Sequence, residues 1–511
     1  MVAQYIIIGL YFFILFLIGY WSSGKIKDIA DYYVGGKKLG YWVVAFSTRA
    51  TGESAWLLLG LTGMGAMVGF SAYWVVLGEL IGVATAWFLL SKRFKFLTDK
   101  YGSITVPDYL VSRFRASSHL IRIIASTALA VFVVIYVSAQ IDATGSAFEA
   151  FLNWNYYTGA LVGFAIVVVY IFLGGFVAVS WSDLFQGSLM FLGLTFLPIV
   201  AWFSLNAGGE MFSSLKAIDP SLVNFWGPGG FSWFNLATVL GYLFIGLGFM
   251  GSPQLFVRFM SIKDESEIDK GRWVAIAFTL LTDIAAVSIG VIGRYLFTEA
   301  GTDVVAVMGN NAQNVLIMMV NNFLPTLLVG LYIAVVLAAI MSTIDSLLIV
   351  ASSAIVRDFY QQIYHPELKV EQLTRMSRVV TVALAVFALG IALTVAITTP
   401  SRTIFWFVIF GWSGIAATFC PVIILSLFWK GYTEKGAIAS MVTGFLCVPI
   451  FKFVVPAIPG VGAYFGQIAE LGPSFALAMI FGFTVSKIWP NKALEQAVAE
   501  ELISPTFEHN D

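Results

Sequence analysis

The residues of this chain that could do chemistry are ionisable and hydroxyl groups set inside long apolar runs. They are Arg49, Glu53, Glu79, Asp142, Asp183, Asp283 and Asp345, with Ser342, Thr343 and Ser346 close to the last. A charge in hydrocarbon costs about 3 kcal/mol or more unless it is paired, so each is a candidate functional group. The densest cluster runs from Ala338 to Ser346, where Ser342, Asp345 and Ser346 fall at i, i+3 and i+4 on one helical face with Thr343 adjacent. Hydroxyls, a carboxylate and carbonyls freed from a broken helix can supply the roughly five or six oxygens that a hard cation of sodium's size accepts. The same hydroxyls have a local outlet, bonding back to the preceding turn, and the two readings predict different partners. Arg49 and Glu53 are four apart and pair on one face, either bracing the helix or touching a solute. Glu79, Asp142 and Asp283 have no charged neighbour at helical spacing and receive no role.

Other chemistries are excluded. His365 and His509 lie outside the apolar runs and His119 stands at the very end of one, and Cys420 and Cys447 are the only cysteines. That removes a histidine metal centre in the membrane, a cysteine-rich cluster and a disulfide framework. There is no HExxH or GxSxG pattern, so no membrane enzyme is indicated. A net charge of −1 gives no basic surface for nucleic acid.

The elements that must position these groups are membrane helices. The chain has 511 residues, 59% hydrophobic and only 11% charged, against about 25% charged in a soluble domain. A bilayer core about 30 Å thick takes about 20 apolar residues per helix. Thirteen such runs can be drawn, at 4–21, 40–66, 72–91, 118–147, 158–174, 183–205, 234–257, 273–296, 324–354, 377–398, 404–429, 436–455 and 472–489. They are long and do not alternate, which argues for helices over a barrel. The expectation is a single transmembrane domain over 1–489 with a short cytoplasmic tail at 490–511. Residues 4–21 lack a positive n-region and a small-residue cleavage site and read as a retained span. Basic residues gather in alternate loops: Lys25, Lys27, Lys37 and Lys38, then Lys92, Arg93, Lys95, Lys100, Arg113 and Arg115, then Lys263, Lys270 and Arg272, then Arg357, Lys369, Arg375 and Arg378. Lys216, Arg294, Arg402 and Lys452 fall on or near the other side. The positive-inside rule places the amino terminus outside and the carboxyl terminus in the cytoplasm.

Two spans are interrupted. The second contains Arg49-Ala-Thr-Gly-Glu-Ser54 followed by Gly60, Gly63 and Gly65, and the seventh contains Gly246-Leu-Gly-Phe-Met-Gly-Ser-Pro253. Proline removes a donor and glycine weakens a helix, so backbone groups are freed at mid-membrane depth. The breaks lie five spans apart, in segments of opposite direction, as an inverted five-plus-five repeat requires, with repeats at about 40–205 and 234–429. Glycines serving close helix packing are the alternative.

At this point the residues resemble the sodium/solute symporter family, and within it the bacterial sodium/proline permeases. The resemblance covers nearly the whole chain. It is carried together by Asp31-Tyr-Tyr-Val-Gly-Gly-Lys37, Ser54 to Leu61, Thr105-Val-Pro-Asp-Tyr109, Gly174 to Gln186, Pro253 to Met260, Ala338 to Thr343 and Ser352-Ser-Ala354. It implies an all-α integral membrane protein with 13 transmembrane helices in a LeuT-like five-plus-five inverted repeat. It implies one sodium bound by backbone oxygens of Ala50, Glu53 and Ala339 with the hydroxyls of Ser342 and Thr343. Asp183, Ser342, Asp345 and Ser346 match a second cation site found in some relatives, with pairing of Asp345 to Arg49 as the alternative. Solute contacts are implied for Ser54, Ala55, Trp56, Tyr136, Phe249 and Pro253. The chain departs from the permeases at Gly52, where they carry an aspartate, at Ile245, where they carry tryptophan, and at Phe249, where they carry tyrosine. Arg49, absent from them, is a cation able to hold a carboxylate. The implied function is sodium-coupled import of a small solute, foremost L-proline, by alternating access across the plasma (bacterial inner) membrane. No cofactor is expected beyond the coupling ion, and no nucleic-acid or obligatory protein partner. A symporter for another small amino acid or carboxylate is the alternative substrate reading. A sodium-permeable channel is the alternative class, though the sparse buried charges line no continuous pore.

Overall fold

The computed structural model describes residues 2–25, 28–205 and 210–502. Lys27 and residues 503–511 of the expected tail lie outside them. Among the described residues the chain is helical almost throughout, with one isolated bridge, Leu39 to Ile262, and no strand. Eleven helical stretches among the described residues are long and apolar enough to cross a membrane. In hydrocarbon every peptide group must find its partner inside its own segment, and these apolar runs therefore form helices.

The helices that build the site are α1 (Val2–Ser23), α2 (Tyr41–Ala55), α3 (Tyr73–Thr85), α4 (Leu120–Leu152), α5 (Tyr156–Leu205), α6 (Pro253–Ser261), α7 (Glu265–Phe297), α8 (Thr326–Ser353) and α9 (Ile404–Phe428). α8 is buried on every side and sits at the centre, packed on α1, α2, α4 and α5, with every residue from Tyr332 to Ser353 buried. α9 closes the bundle against α4. By contrast α1 and the helix Val370–Thr398 bury only one stripe and expose the rest as membrane surface.

In the helices and the segment that build the site, the backbone leaves helical geometry at three places. Ser54 in α2 takes φ 40°, ψ −167°, and the chain continues as a π-type turn over Trp56–Leu61. The segment Ile245–Met250 is a 3-10 helix, after which Gly251 and Ser252 are not helical and Pro253 opens α6. A third departure, unforeseen in the sequence, is Gly175 in α5, at φ 58°, ψ −171°. An αL-side conformation suits glycine; at Ser54 it is strained, about 1–3 kcal/mol, and its neighbours must hold it there.

The second non-helical segment is pressed directly on α3. A Cβ on Gly246 would overlap the Gly78 carbonyl, and one on Gly82 would overlap the Gly246 carbonyl. Gly246→Ala and Gly82→Ala are each expected to lower stability by about 1–3 kcal/mol through backbone overpacking. Thermal unfolding in detergent checks this, and unchanged melting would show that the two segments can separate freely.

Candidate ion and solute site

The Ser54 kink frees the oxygens that face α8. In an unbroken helix the Ala55 amide would donate to the Thr51 carbonyl. Here it donates to Gln140 Oε1 on α4 at 3.1 Å. The Thr51 carbonyl accepts instead from Thr343 Oγ1 at 3.1 Å, and the Ala50 carbonyl accepts from Ser342 Oγ at 3.0 Å. Both hydroxyls also donate back to the Ala339 carbonyl, each at 3.1 Å. The cross-helix and local partners thus coexist. Five oxygens from Ala50, Thr51, Ala339, Ser342 and Thr343 converge between α2 and α8. Glu53 is placed differently: its carbonyl accepts the Trp56 amide, and its carboxylate turns to Arg49.

Asp183 and Ser346 meet a residue that sequence reasoning passed over. Arg258 on α6 is wholly buried; its Nη2 donates to Asp183 Oδ2 at 2.9 Å and to Ser346 Oγ, and its Nε donates to Ser47 Oγ at 2.9 Å. Nη1 donates to the Gln254 carbonyl. Ser47 donates to Asp183 Oδ2 at 2.5 Å, and Thr51 Oγ1 lies 2.9 Å from Ser346 Oγ. Ser346 donates to Asp345 Oδ1 at 3.3 Å. The guanidinium binds Asp183 directly and is linked to Asp345 through Ser346. Asp183 Oδ1 and Asp345 Oδ2 remain buried without a hydrogen-bond partner. Arg258 stands four residues after Gln254 on the first turns following a break; that position was the only signal available.

The alternative pairing of Asp345 with Arg49 does not occur. Arg49 binds Glu53 and Glu79, both wholly buried, because the i+4 neighbour and the facing turn of α3 are nearer than α8. Glu79 therefore has a partner that helical spacing within its own span could not reveal. Asp142 has one also: it accepts from Arg402 at 2.6 Å and from the Tyr156 hydroxyl at 2.5 Å.

On the other side of the kink, Gln140 Nε2 donates to Ser54 Oγ at 3.3 Å, and the Tyr136 hydroxyl does so at 3.4 Å. Trp56 Nε1 donates to the Gly52 carbonyl at 2.9 Å. Phe249, from the 3-10 segment, lies under the Arg49 guanidinium, 4.9 Å from ring centre to Cζ. Pro253 is buried at the start of α6. The indole missing at Ile245 is supplied from elsewhere: Trp412 on α9 donates its Nε1 to the Ile245 carbonyl at 3.1 Å and packs 4.8 Å from Phe249 and 6.5 Å from Tyr136. Ser54, Ala55, Trp56, Tyr136, Phe249 and Trp412 are all buried.

This fold and site define a polytopic membrane transporter, and the chain belongs to the sodium:solute symporter family, whose model matches residues 32–444. It is 33% identical over 491 residues to the high-affinity proline transporter PutP of Bacillus subtilis (strain 168), covering 95% of this chain and 98% of the relative. It is also 33% identical over 482 residues to the osmoregulated proline transporter OpuE of the same strain, covering 94% of each. Of solved structures, a Na+-coupled sialic acid symporter in a substrate-bound outward-open state superposes with TM-score 0.76 at 18% identity, covering 96% of this chain and 98% of that one. MhsT in complex with L-phenylalanine superposes with TM-score 0.52 at 13% identity, covering 87% and 98%. These likenesses show a shared fold. The family consists of symporters, so the chain is a transporter and not an enzyme, with sodium as coupling ion and no cofactor.

Proposed function

We propose that this protein imports L-proline together with sodium by alternating access. The observation that carries the reading is the kink at Ser54: it presents backbone oxygens to Ser342 and Thr343 on one side and a buried polar and aromatic lining on the other. Two proline transporters similar to the chain, aligned over nearly its full length, support the substrate. Sodium is held by the Ala50, Thr51 and Ala339 carbonyls with the Ser342 and Thr343 hydroxyls. Solute is held by Ser54, Ala55, Trp56, Tyr136, Phe249 and Pro253, with Trp412 as a further wall. Arg49 borders this site through Phe249, but Glu53 and Glu79 already answer its charge. That favours a zwitterion over an anionic carboxylate.

The architecture in this reading has thirteen spans. Tyr41–Lys100 is long enough for two, at 60 residues, and Tyr156–Val169 adds a shorter one. Two inverted five-helix repeats, about 40–205 and 234–429, place the kinks at Ser54 and Gly251 in equivalent positions within a single domain over 1–489. The amino terminus lies outside and the carboxyl terminus in the cytoplasm. The tail helix Lys492–Leu502 fits this, since Glu501 lies against Arg115 and Lys100 on the face rich in basic residues.

The energy available is sufficient. One charge crossing 100 mV releases about 2.3 kcal/mol, and a tenfold sodium gradient adds about 1.4 kcal/mol. Together they sustain a solute gradient of several hundredfold. A second sodium binds beside Arg258, between Asp183, Ser342, Asp345 and Ser346, because the guanidinium binds Asp183 directly and reaches Asp345 only through Ser346, so one negative charge is left unanswered. Asp345→Asn is expected to change the sodium dependence of uptake from sigmoidal to hyperbolic; unaltered cooperativity would remove the second ion.

The reading as a whole is tested by uptake of labelled proline into proteoliposomes against a panel of amino acids and carboxylates. Saturable uptake that requires a sodium gradient supports it. Ohmic sodium current without saturable proline flux would favour a channel.

A further inference from the structure

Beside the kink, on the face turned away from α8, lies a second acidic cluster that the transport reading does not use. Oxygens of Glu53, Glu79 and Asp283, from α2, α3 and α7, lie within 4.8 Å of one another, and all three residues are fully buried. We propose that Glu79 and Asp283 form a proton-binding site, holding at least one proton between them, which the transporter exchanges with water during its cycle.

Charge is the first ground. Three carboxyl groups face a single guanidinium, Arg49, which touches Glu53 and Glu79 through Nη2. Neighbouring carboxylates in a dry site do not all ionise, since each isolated buried charge costs several kcal/mol. The second ground is independent of the acids. Arg49 is 0% exposed, yet its Nε and Nη1 have no hydrogen-bond partner, so the guanidinium is not spread over the cluster to neutralise it. Asp283 receives the Thr282 hydroxyl on Oδ1 at 3.2 Å and its carboxyl lies against that of Glu79, while no donor reaches Asp283 Oδ2 or Glu79 Oε2. Glu53 Oε1 and Glu79 Oε1 are already taken by Nη2 of Arg49, which leaves fewer oxygens than a cation's shell of about five or six, whereas a proton needs no ligand shell. The surroundings supply no other cation among the described residues. The neighbouring stretch of α4 contributes the Tyr136 hydroxyl, which faces Glu79. Trp233–Phe244 and Ile245–Met250, packed on α3, carry no charge, and Asp183 on α5 is held by Arg258.

Position links the proton to the cycle. Arg49 belongs to α2, a turn before the kink, whereas Glu79 and Asp283 belong to other helices. Any rearrangement of the kinked segment changes the Arg49–Glu79 contact, and with it the hold on the proton. In the exchange an O–H bond of the carboxyl breaks and the proton passes to water; nothing is oxidised or reduced.

Binding is tested without transport, and exchange rests on the sodium-coupled reading above. Infrared spectra of the purified protein should show the carbonyl stretch of a neutral buried carboxyl at neutral pH, lost in both Asp283→Asn and Glu79→Gln. No such band in the wild-type protein, or a band that both folded variants retain, overturns the site. In proteoliposomes loaded with a fluorescent pH indicator, sodium-driven proline uptake should move protons as well, and Asp283→Asn should abolish that signal. Sodium-driven uptake by the wild-type protein with no pH change overturns the exchange. Failure of proline uptake itself overturns the substrate reading and leaves the infrared result to decide the site.

Discussion

Arg258→Met is expected to strip the protein of both stability and transport. The substitution keeps a long side chain but removes the cation paired with Asp183, whose oxygens would keep the Ser47 and Thr51 hydroxyls. Breaking a buried ion pair from one side costs about 3–5 kcal/mol, because the surviving charge is left without a partner. A folded protein has only about 5–15 kcal/mol in reserve, so the loss is a large fraction of the whole. Arg258→Lys should rescue little. A single ammonium cannot reach Asp183, Ser346, Ser47 and the Gln254 carbonyl at once, which the guanidinium fork does. Arg258→Met combined with Asp183→Asn should recover much of the melting temperature by removing the stranded charge, though not sodium coupling. Thermal melting of the three variants in one detergent is the measurement. An unchanged melt for Arg258→Met would mean that the pair is solvated and that the buried network carries no such cost.

Ser342→Ala and Thr343→Ala are expected to raise the sodium concentration for half-maximal uptake by roughly thirtyfold, the equivalent of about 2 kcal/mol for one lost oxygen ligand. Affinity for proline at saturating sodium should move little, since the solute lining is on the far side of the kink and neither hydroxyl reaches it. Each alanine also leaves a carbonyl of α2 without its partner, Ala50 in one case and Thr51 in the other. The two variants should therefore act alike, and the double variant should be close to inactive. Uptake with wild-type sodium dependence in either one would remove these hydroxyls from the ion site.

Much of the site was legible in the chain itself. Ser342 and Thr343 stand adjacent on a helix too apolar to hold them for solubility, and that was enough to mark them. Gly246 to Pro253 cannot propagate a helix, which marked the second interruption. The first was legible as a region, Arg49 to Ser54, although nothing in it singled out Ser54 as the residue with positive φ. Ala50 and Ala339 followed only from resemblance, because a backbone oxygen has no sequence signature.

What escaped has a common cause. Arg258 lies 75 residues from Asp183 and 88 from Ser346, and Trp412 lies 167 residues from Ile245. Glu79, Asp142 and Asp283 looked solitary because helical spacing reports only neighbours on the same helix. The sequence by itself determined what lipid and local geometry impose: apolar helices, their interruptions, and the rarity of charge within them. Tertiary structure alone decided which charge meets which. Those partners are chosen by the packing of α2, α3, α6, α7 and α8 against one another, and no periodicity within a single helix encodes the face that another helix will present to it.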